Sequence, residues 1–155
     1  MVTEDREIPG PEEAPPVGVR VYRPKAASGV LPGIFFIHGG GMIMGAVEGE
    51  NLKATELCEA IQAVVVSVEY RLAPEHPHPA PVRDCYAALK WMAQNADELA
   101  FDVDRLAVVG GSAGGGLTIA TTMMARDKGF PRICFQMPLY PMIDDRNETP
   151  SSYEI

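Results

Sequence analysis

The chain is poor in the residues that build metal centres, disulfide frameworks and basic surfaces. Its 155 residues include only three cysteines and three histidines, and 13 Lys and Arg stand against 21 Asp and Glu, for a net charge of −8. This acidic balance argues against nucleic acid and against anionic membrane surfaces as partners. No metal-ligand spacing is present among the cysteines. We therefore predict no metal site and no cofactor.

Long apolar runs and targeting signals are also missing. No apolar stretch approaches the roughly 18 residues that a membrane-spanning helix needs. Residues 1–16 are acidic and rich in proline, unlike a secretory signal peptide. The three cysteines, Cys58, Cys85 and Cys134, are far apart and each lies in an apolar pattern, which predicts reduced residues buried in the core. These features together predict a cytoplasmic protein.

Apolar segments with the lengths of strands alternate with segments of helical periodicity. The apolar content of 46% and the length are sufficient for one sizeable core. Alternating strands and helices of this kind predict an α/β fold with a doubly wound, mostly parallel sheet. Residues 1–16 are expected either to be poorly structured or to add an edge strand at 4–8. The other strands are predicted at 17–22, 33–37, 63–68, 106–109 and 133–139.

A sharp turn after the 106–109 strand organises the rest of the chain. Gly110, Ser112 and Gly114 form a G-x-S-x-G pattern between an apolar strand and a helix-like segment. In this arrangement a serine hydroxyl stands above the end of a sheet, on a bend whose flanking positions have no room for side chains. Ser112 is therefore the candidate nucleophile. The alternative is a glycine-rich turn that carries an ordinary surface serine.

Three glycines stand where the helix after Ser112 should begin. Gly114, Gly115 and Gly116 each cost about 1 kcal/mol relative to alanine in a helix interior. A sequence that accepts this cost is expected to need the helix and sheet backbones very close together. We therefore predict close contact between this helix and the sheet.

A second glycine-rich segment follows the 33–37 strand. His38, Gly39, Gly40 and Gly41, here termed the glycine loop, allow consecutive amides to turn toward one point. Acyl transfer needs such donors to meet the oxyanion of a tetrahedral intermediate. We predict that the amides of Gly40 and Gly41, with that of Ala113, form an oxyanion hole, while Gly39 shapes the loop. The alternative is a flexible loop after a strand.

These motifs together resemble the bacterial hormone-sensitive-lipase-like carboxylesterases of the α/β-hydrolase superfamily. The resemblance implies that Ser112 is the nucleophile, that the glycine loop supplies oxyanion donors, and that the substrates are esters with short or medium acyl chains. Gly111 stands where many members carry aspartate, which affects the subfamily more than the chemistry. The residues that carry the resemblance are His38-Gly39-Gly40-Gly41, Tyr70-Arg71-Leu72-Ala73-Pro74-Glu75, Asp84 to Trp91, Gly110 to Gly115 and Tyr140-Pro141.

The proton-transferring part of the expected triad is not found in its usual place. In this superfamily the order along the chain is Ser, then Asp or Glu, then His. None of the three histidines follows Ser112. His76 and His78 lie upstream in a proline-rich loop, so chain order argues against either as the base. Asp144 and Asp145 could provide an acid, but a solvated turn is the favoured interpretation.

The resemblance also implies that segments of the family fold are absent from these 155 residues. N-terminal cap helices and the last two strands with their helices have no counterpart here, so we interpret residues 1–155 as part of a longer catalytic domain. A second chain that carries the remaining strands could complete the sheet and the triad. An unpaired sheet edge would favour association, including homo-oligomers. The expected ligand is a small-molecule ester.

Two other functions remain open from the sequence. Peptidases of the same superfamily share the serine turn, and plant gibberellin receptors resemble these esterases but lack the catalytic histidine. The second class would make this chain a binding module for a small ligand. Met42, Met44 and Tyr70 lie near the motifs and could line an acyl or alcohol pocket, or could equally pack in the core.

Overall fold

A six-stranded sheet forms the centre of the molecule in the computed structural model, which describes residues 1–25 and 29–154. The strand order is β1-β2-β4-β3-β5-β6. The strands β3, β4, β5 and β6 are parallel to one another, whereas β2 is antiparallel to both β1 and β4. The predicted α/β fold with a mostly parallel sheet is confirmed. The strands are β1 (Val2–Ile8), β2 (Val17–Arg23), β3 (Leu31–Ile37), β4 (Val64–Glu69), β5 (Phe101–Gly111) and β6 (Phe135–Leu139).

Helices cover both faces of the sheet. They are α1 (Asn51–Ile61), α2 (Ala80–Gln94), the single turn α3 (Ala96–Leu99) and α4 (Ala113–Lys128), with short 3₁₀ helices at Val47–Glu50 and Pro150–Tyr153. The helix α4 ends at Lys128, and Gly129 after it has a left-handed backbone with φ +71°, as is common at the end of a helix. None of the helices in residues 1–25 and 29–154 has both the length and the apolar character needed to cross a bilayer.

The side chains of β3 pack alternately into two hydrophobic clusters, one on each face of the sheet. Phe35 and Ile37 point into the larger cluster, which contains the buried residues of α2 and α4. Ile34 and Phe36 point into a second cluster with Ala54 and Cys58 of α1. Because consecutive strand side chains face opposite sides, a continuous apolar run is what a doubly covered strand requires.

All strand boundaries except the start of β5 lie within two residues of those predicted. The strand β5 begins at Phe101 rather than at 106, since its first residues pair with Leu31 and Pro32 before a register shift between Pro32 and Gly33. Its early part contains the exposed residues Asp104 and Arg105 and therefore gives no apolar signal. The strand β6 begins at Phe135, two residues later than predicted.

The prediction that all three cysteines are buried is wrong for one of them. Cys58 and Cys85 are fully buried, whereas Cys134 is exposed. Cys134 directly precedes β6, which has a neighbour on one side only within the described sheet. An apolar pattern at an edge strand does not guarantee burial, because burial there depends on what packs beyond the strand.

This difference predicts selective thiol chemistry. Burial raises the pKa of the Cys58 thiol to about 11 and that of Cys85 well above its ordinary value, so neither supplies accessible thiolate at neutral pH. We expect a thiol-reactive disulfide reagent to modify Cys134 rapidly in the native chain and the other two only after unfolding. The Cys134→Ser variant should lose the rapid phase. Rapid reaction of all three thiols in the folded chain would contradict the described core.

Candidate active site

Ser112 occupies a strained turn between β5 and α4. Its backbone has φ +56° and ψ −119°, in a region that residues other than glycine rarely adopt. The Ser112 amide donates to the carbonyl of Leu139 over 3.0 Å, and its carbonyl accepts from the amides of Gly116 at 3.1 Å and Met142 at 2.9 Å. These bonds hold the amide and the carbonyl of Ser112 in this conformation, and the backbone in turn sets the direction of the side chain.

The glycines beside Ser112 lie where backbones touch. A Cβ atom placed on Gly114 would lie 2.5 Å from the carbonyl oxygen of His38 and would overlap that of Ile37. A Cβ on Gly110 would lie 2.7 Å from Oγ1 of Thr118 and would overlap the carbonyl oxygen of Gly114. The close approach of helix and sheet that the glycines predict is thus present.

The glycine loop passes directly beside Ser112. A Cβ placed on Gly39 would lie 3.6 Å from the Cβ of Ser112. Gly40 and Gly41 have φ values of +115° and +64°, and the Gly40 carbonyl accepts from the amides of Ile43 at 3.1 Å and Met44 at 3.0 Å. The positive φ values explain why these two positions are glycine.

Several polar groups at this junction have no protein partner. Among residues 1–25 and 29–154, no hydrogen bond uses the amide of Gly40, Gly41 or Ala113, or the hydroxyl of Ser112. Ala113 is the first residue of α4, where the unpaired amides and the helix dipole favour negative charge. The arrangement therefore places a serine hydroxyl at a helix N-terminus and beside a loop whose Gly40 and Gly41 amides have no partner among the described residues.

The side chains of Tyr70 and His38 lie behind the backbone of the glycine loop. Both are 2% exposed, and their rings stack with centroids 4.2 Å apart. The Tyr70 hydroxyl donates to the His38 carbonyl over 3.0 Å. Burial raises the pKa of this hydroxyl, which therefore stays a proton donor at neutral pH. The structure thus places Tyr70 in the core beneath the loop, away from any exposed pocket surface.

Comparison with known proteins identifies the family of this strand–serine–helix arrangement. A family model for the alpha/beta hydrolase fold matches residues 34–155. The chain belongs to this family. It is 45% identical over 125 residues to the carboxylesterase NlhH of Mycobacterium tuberculosis, and 38% identical over 141 residues to an arylesterase of Saccharolobus solfataricus. The resemblance to carboxylesterases inferred from the sequence is confirmed.

The solved structure of a bacterial heroin esterase superposes on the described fold with a TM-score of 0.94 and 41% identity. It matches 98% of this chain, while this chain covers 48% of it. The matches to the two curated relatives cover 81% and 90% of this chain but 39% and 42% of the relatives. This α/β-hydrolase chain thus spans less than half the length of the proteins it resembles.

An apolar groove of about 580 Å³ runs beside α4. Met42 lines it and also packs partly against the larger core cluster. Met44, by contrast, is 62% exposed and does not line this groove. The other apolar residues along the groove include Val82, Leu117, Ala120, Met123 and Met142.

A buried ion pair fixes the segment that follows β4 in this α/β-hydrolase chain, and the sequence reasoning missed it. Asp84 is fully buried and accepts hydrogen bonds from Nε and Nη2 of Arg71 at 2.8 and 2.7 Å, and from the Arg71 amide at 2.9 Å. The carboxylate raises the pKa of the Arg71 guanidinium further. One signal was available, since Asp84 lies in the buried stripe of α2 beside Val82 and Cys85.

The remaining titratable candidates lie at the surface. His76 and His78 are exposed in the loop before α2. Asp144 is exposed, accepts from the Arg146 amide at 3.1 Å and pairs with the Arg146 guanidinium at 2.6 Å, which lowers the pKa of the Asp144 carboxyl. These contacts describe a polar turn, the interpretation that the sequence favours.

Proposed function

We propose that this chain carries the nucleophile and the oxyanion donors of a serine carboxylic ester hydrolase. Ser112 is the proposed nucleophile, and the amides of Gly40, Gly41 and Ala113 are the proposed oxyanion donors. Gly39 allows the loop to lie close to Ser112. The observation that carries the proposal is the strained Ser112 turn with the glycine loop against it, where a Gly39 Cβ would lie 3.6 Å from that of Ser112.

In the proposed reaction, Oγ of Ser112 forms a bond to the ester carbonyl carbon while a base takes its proton. The carbonyl oxygen becomes an oxyanion, which accepts hydrogen bonds from the free amides. Loss of a single such donor costs about 2.7–4 kcal/mol of transition-state stabilisation in serine hydrolases. The alcohol then leaves with a proton, and water hydrolyses the acyl-serine to release the acid and restore the hydroxyl.

The base and its partner acid are proposed to come from outside these 155 residues. No histidine follows Ser112, and no described side chain hydrogen-bonds to its hydroxyl. Without a base, a serine hydroxyl is a weak nucleophile. A further segment or a second chain that extends the sheet beyond β6 could supply the histidine. Substrate acyl groups of short or medium length are proposed to occupy the groove that Met42 lines.

Reconstitution tests this proposal. The chain is co-expressed with the C-terminal part of the bacterial heroin esterase that lies beyond the region matched here, and hydrolysis of p-nitrophenyl butyrate is measured on the purified assembly. Because a positioned general base contributes about 10²–10⁴-fold, we expect the assembly to exceed the chain alone by that factor.

The matched control is the same C-terminal part with its histidines replaced by alanine, which should assemble but not hydrolyse the ester. A purified assembly with wild-type histidines that is no faster than this control would contradict the proposal. If that assembly also fails to react with a fluorophosphonate probe but binds a small carboxylic acid, the receptor-like binding function is favoured instead. Preferential cleavage of a peptide p-nitroanilide over the ester would favour a peptidase.

A further inference from the structure

Three successive carbonyl groups of the glycine loop are each held by a donor. The His38 carbonyl accepts from the Tyr70 hydroxyl at 3.0 Å, and the same hydroxyl lies 3.5 Å from the Gly39 carbonyl. The Gly39 carbonyl lies 2.7 Å from Nδ1 of His38. The Gly40 carbonyl accepts from the amides of Ile43 and Met44. No carbonyl of this run is left to rotate freely.

Holding a carbonyl also sets the direction of the next amide. A peptide unit is planar and trans, so its C=O and N–H point in opposite directions. A Gly39 carbonyl drawn toward the buried His38 ring turns the Gly40 amide away from that ring. The Gly40 carbonyl is held by the Ile43 and Met44 amides of its own turn, which likewise set the direction of the Gly41 amide. The side chains behind the loop thus set the direction of the Gly40 amide, and the turn itself sets that of Gly41.

The His38 ring is itself fixed on two sides. Tyr70 stacks on it with an interplanar angle of 13°, and a Cβ on Gly45 would lie 3.1 Å from its Cε1. A ring enclosed in this way has little freedom to rotate. Its Nδ1 therefore stays directed at the Gly39 carbonyl.

This geometry also selects the tautomer of His38. A carbonyl oxygen can only accept, so Nδ1 must carry the proton in the 2.7 Å contact. Nε2 is buried and has no partner among the described residues. With the proton on Nδ1, only an acceptor is left unpaired. The opposite tautomer would bury an unpaired N–H and set a lone pair against the Gly39 oxygen, which costs more.

We propose that Tyr70 and His38 are positioning residues that aim the amide of Gly40, with His38 acting as its Nδ1–H tautomer. The inference rests on the proposed function only in so far as that amide serves as an oxyanion donor. Tyr70 acts indirectly, through its hydrogen bond to the His38 carbonyl and through its stacking on the His38 ring. Neither side chain touches the substrate.

The Tyr70→Phe variant tests this role, because it keeps the stacked ring and removes only the hydroxyl. In the reconstituted assembly we expect kcat for p-nitrophenyl butyrate to fall about tenfold to hundredfold with KM within about twofold, as for a misplaced catalytic group. Tyr86→Phe is the matched control, since its hydroxyl donates to the Phe130 carbonyl far along the chain from the loop. This control should retain the wild-type kcat.

Two nuclear magnetic resonance measurements on the chain need no activity. Imidazole ¹⁵N shifts should show His38 protonated at Nδ1 and bare at Nε2. The amide resonance of Gly40 should move in Tyr70→Phe and stay in place in Tyr86→Phe. A His38 protonated at Nε2, or a Gly40 amide unchanged by loss of the Tyr70 hydroxyl, would overturn the proposal even if Tyr70→Phe were inactive through misfolding.

The two proposals fail in different ways. An assembly that does not hydrolyse esters while the wild-type chain shows the expected tautomer and amide shifts contradicts the esterase function and leaves the positioning role supported. An active wild-type assembly whose Tyr70→Phe variant has the same kcat overturns the positioning role and leaves the esterase function supported.

Discussion

Replacing Ser112 with alanine is expected to abolish covalent labelling of the reconstituted assembly by a fluorophosphonate and to reduce ester hydrolysis by at least about 10³-fold. The substitution removes the oxygen that is proposed to form the acyl-enzyme, while the free amides of Gly40 and Gly41 remain. The measurements are gel fluorescence after probe treatment and initial rates with p-nitrophenyl butyrate. Residual hydrolysis should reflect substrate binding and the oxyanion donors alone.

Ser152 supplies the control for this experiment. It is exposed in the 3₁₀ helix Pro150–Tyr153, well separated in sequence from the turn at Ser112. The Ser152→Ala variant should be labelled and should hydrolyse the ester at the wild-type rate. Labelling that persists in Ser112→Ala and disappears in another serine variant would place the nucleophile elsewhere.

Replacing Gly114 with alanine is expected to destabilise the chain by about 3 kcal/mol or more, as for a buried overlap that the surroundings cannot relieve. The added Cβ would meet the carbonyl oxygens of Ile37 and His38, which are backbone atoms of β3 and of the glycine loop. Relief requires α4 to move away from the sheet, and this movement carries Ser112 away from the loop. Denaturant unfolding monitored by circular dichroism measures the loss of stability.

Gly49 is the matched control for a glycine-to-alanine change. A Cβ on Gly49 would meet nothing within 4 Å, and its φ is not in the left-handed region. Gly49→Ala should therefore leave stability unchanged or raise it by about 0.4–1 kcal/mol, because it restricts the unfolded chain. Equal stability of the Gly114→Ala and Gly49→Ala variants would contradict the close contact between α4 and β3.

The parts of the site that could be predicted are those encoded within a few residues. A serine between Gly110 and Gly114, after an apolar strand, indicates the strained turn. The two glycines are informative because a Cβ at either position would overlap neighbouring backbone atoms. The glycine loop is predicted for the same reason, since Gly40 and Gly41 adopt positive φ. Both signals report constraints on the backbone, which local sequence carries directly.

The predictions that fail or were missed depend on contacts between distant segments. Cys134 looks like a core residue until the sheet order shows that it precedes an edge strand. Tyr70 lies near the motifs in sequence, but only the packing of β4 against β3 shows that it stacks on His38. The bond between Asp84 and Arg71 likewise joins the start of one helix to the loop before it.

By itself, the sequence determined the alternation of strands and helices, the sharp bend at Ser112 and the glycine positions that allow the loop its positive φ values. These follow from apolar periodicity and from glycine at positions where a side chain would not fit. Only the tertiary structure decided that the bend and the loop meet, and that Tyr70 and His38 hold the loop from behind. Such contacts join residues that directly follow β3, β4 and β5, and their proximity depends on sheet order, which no local pattern specifies.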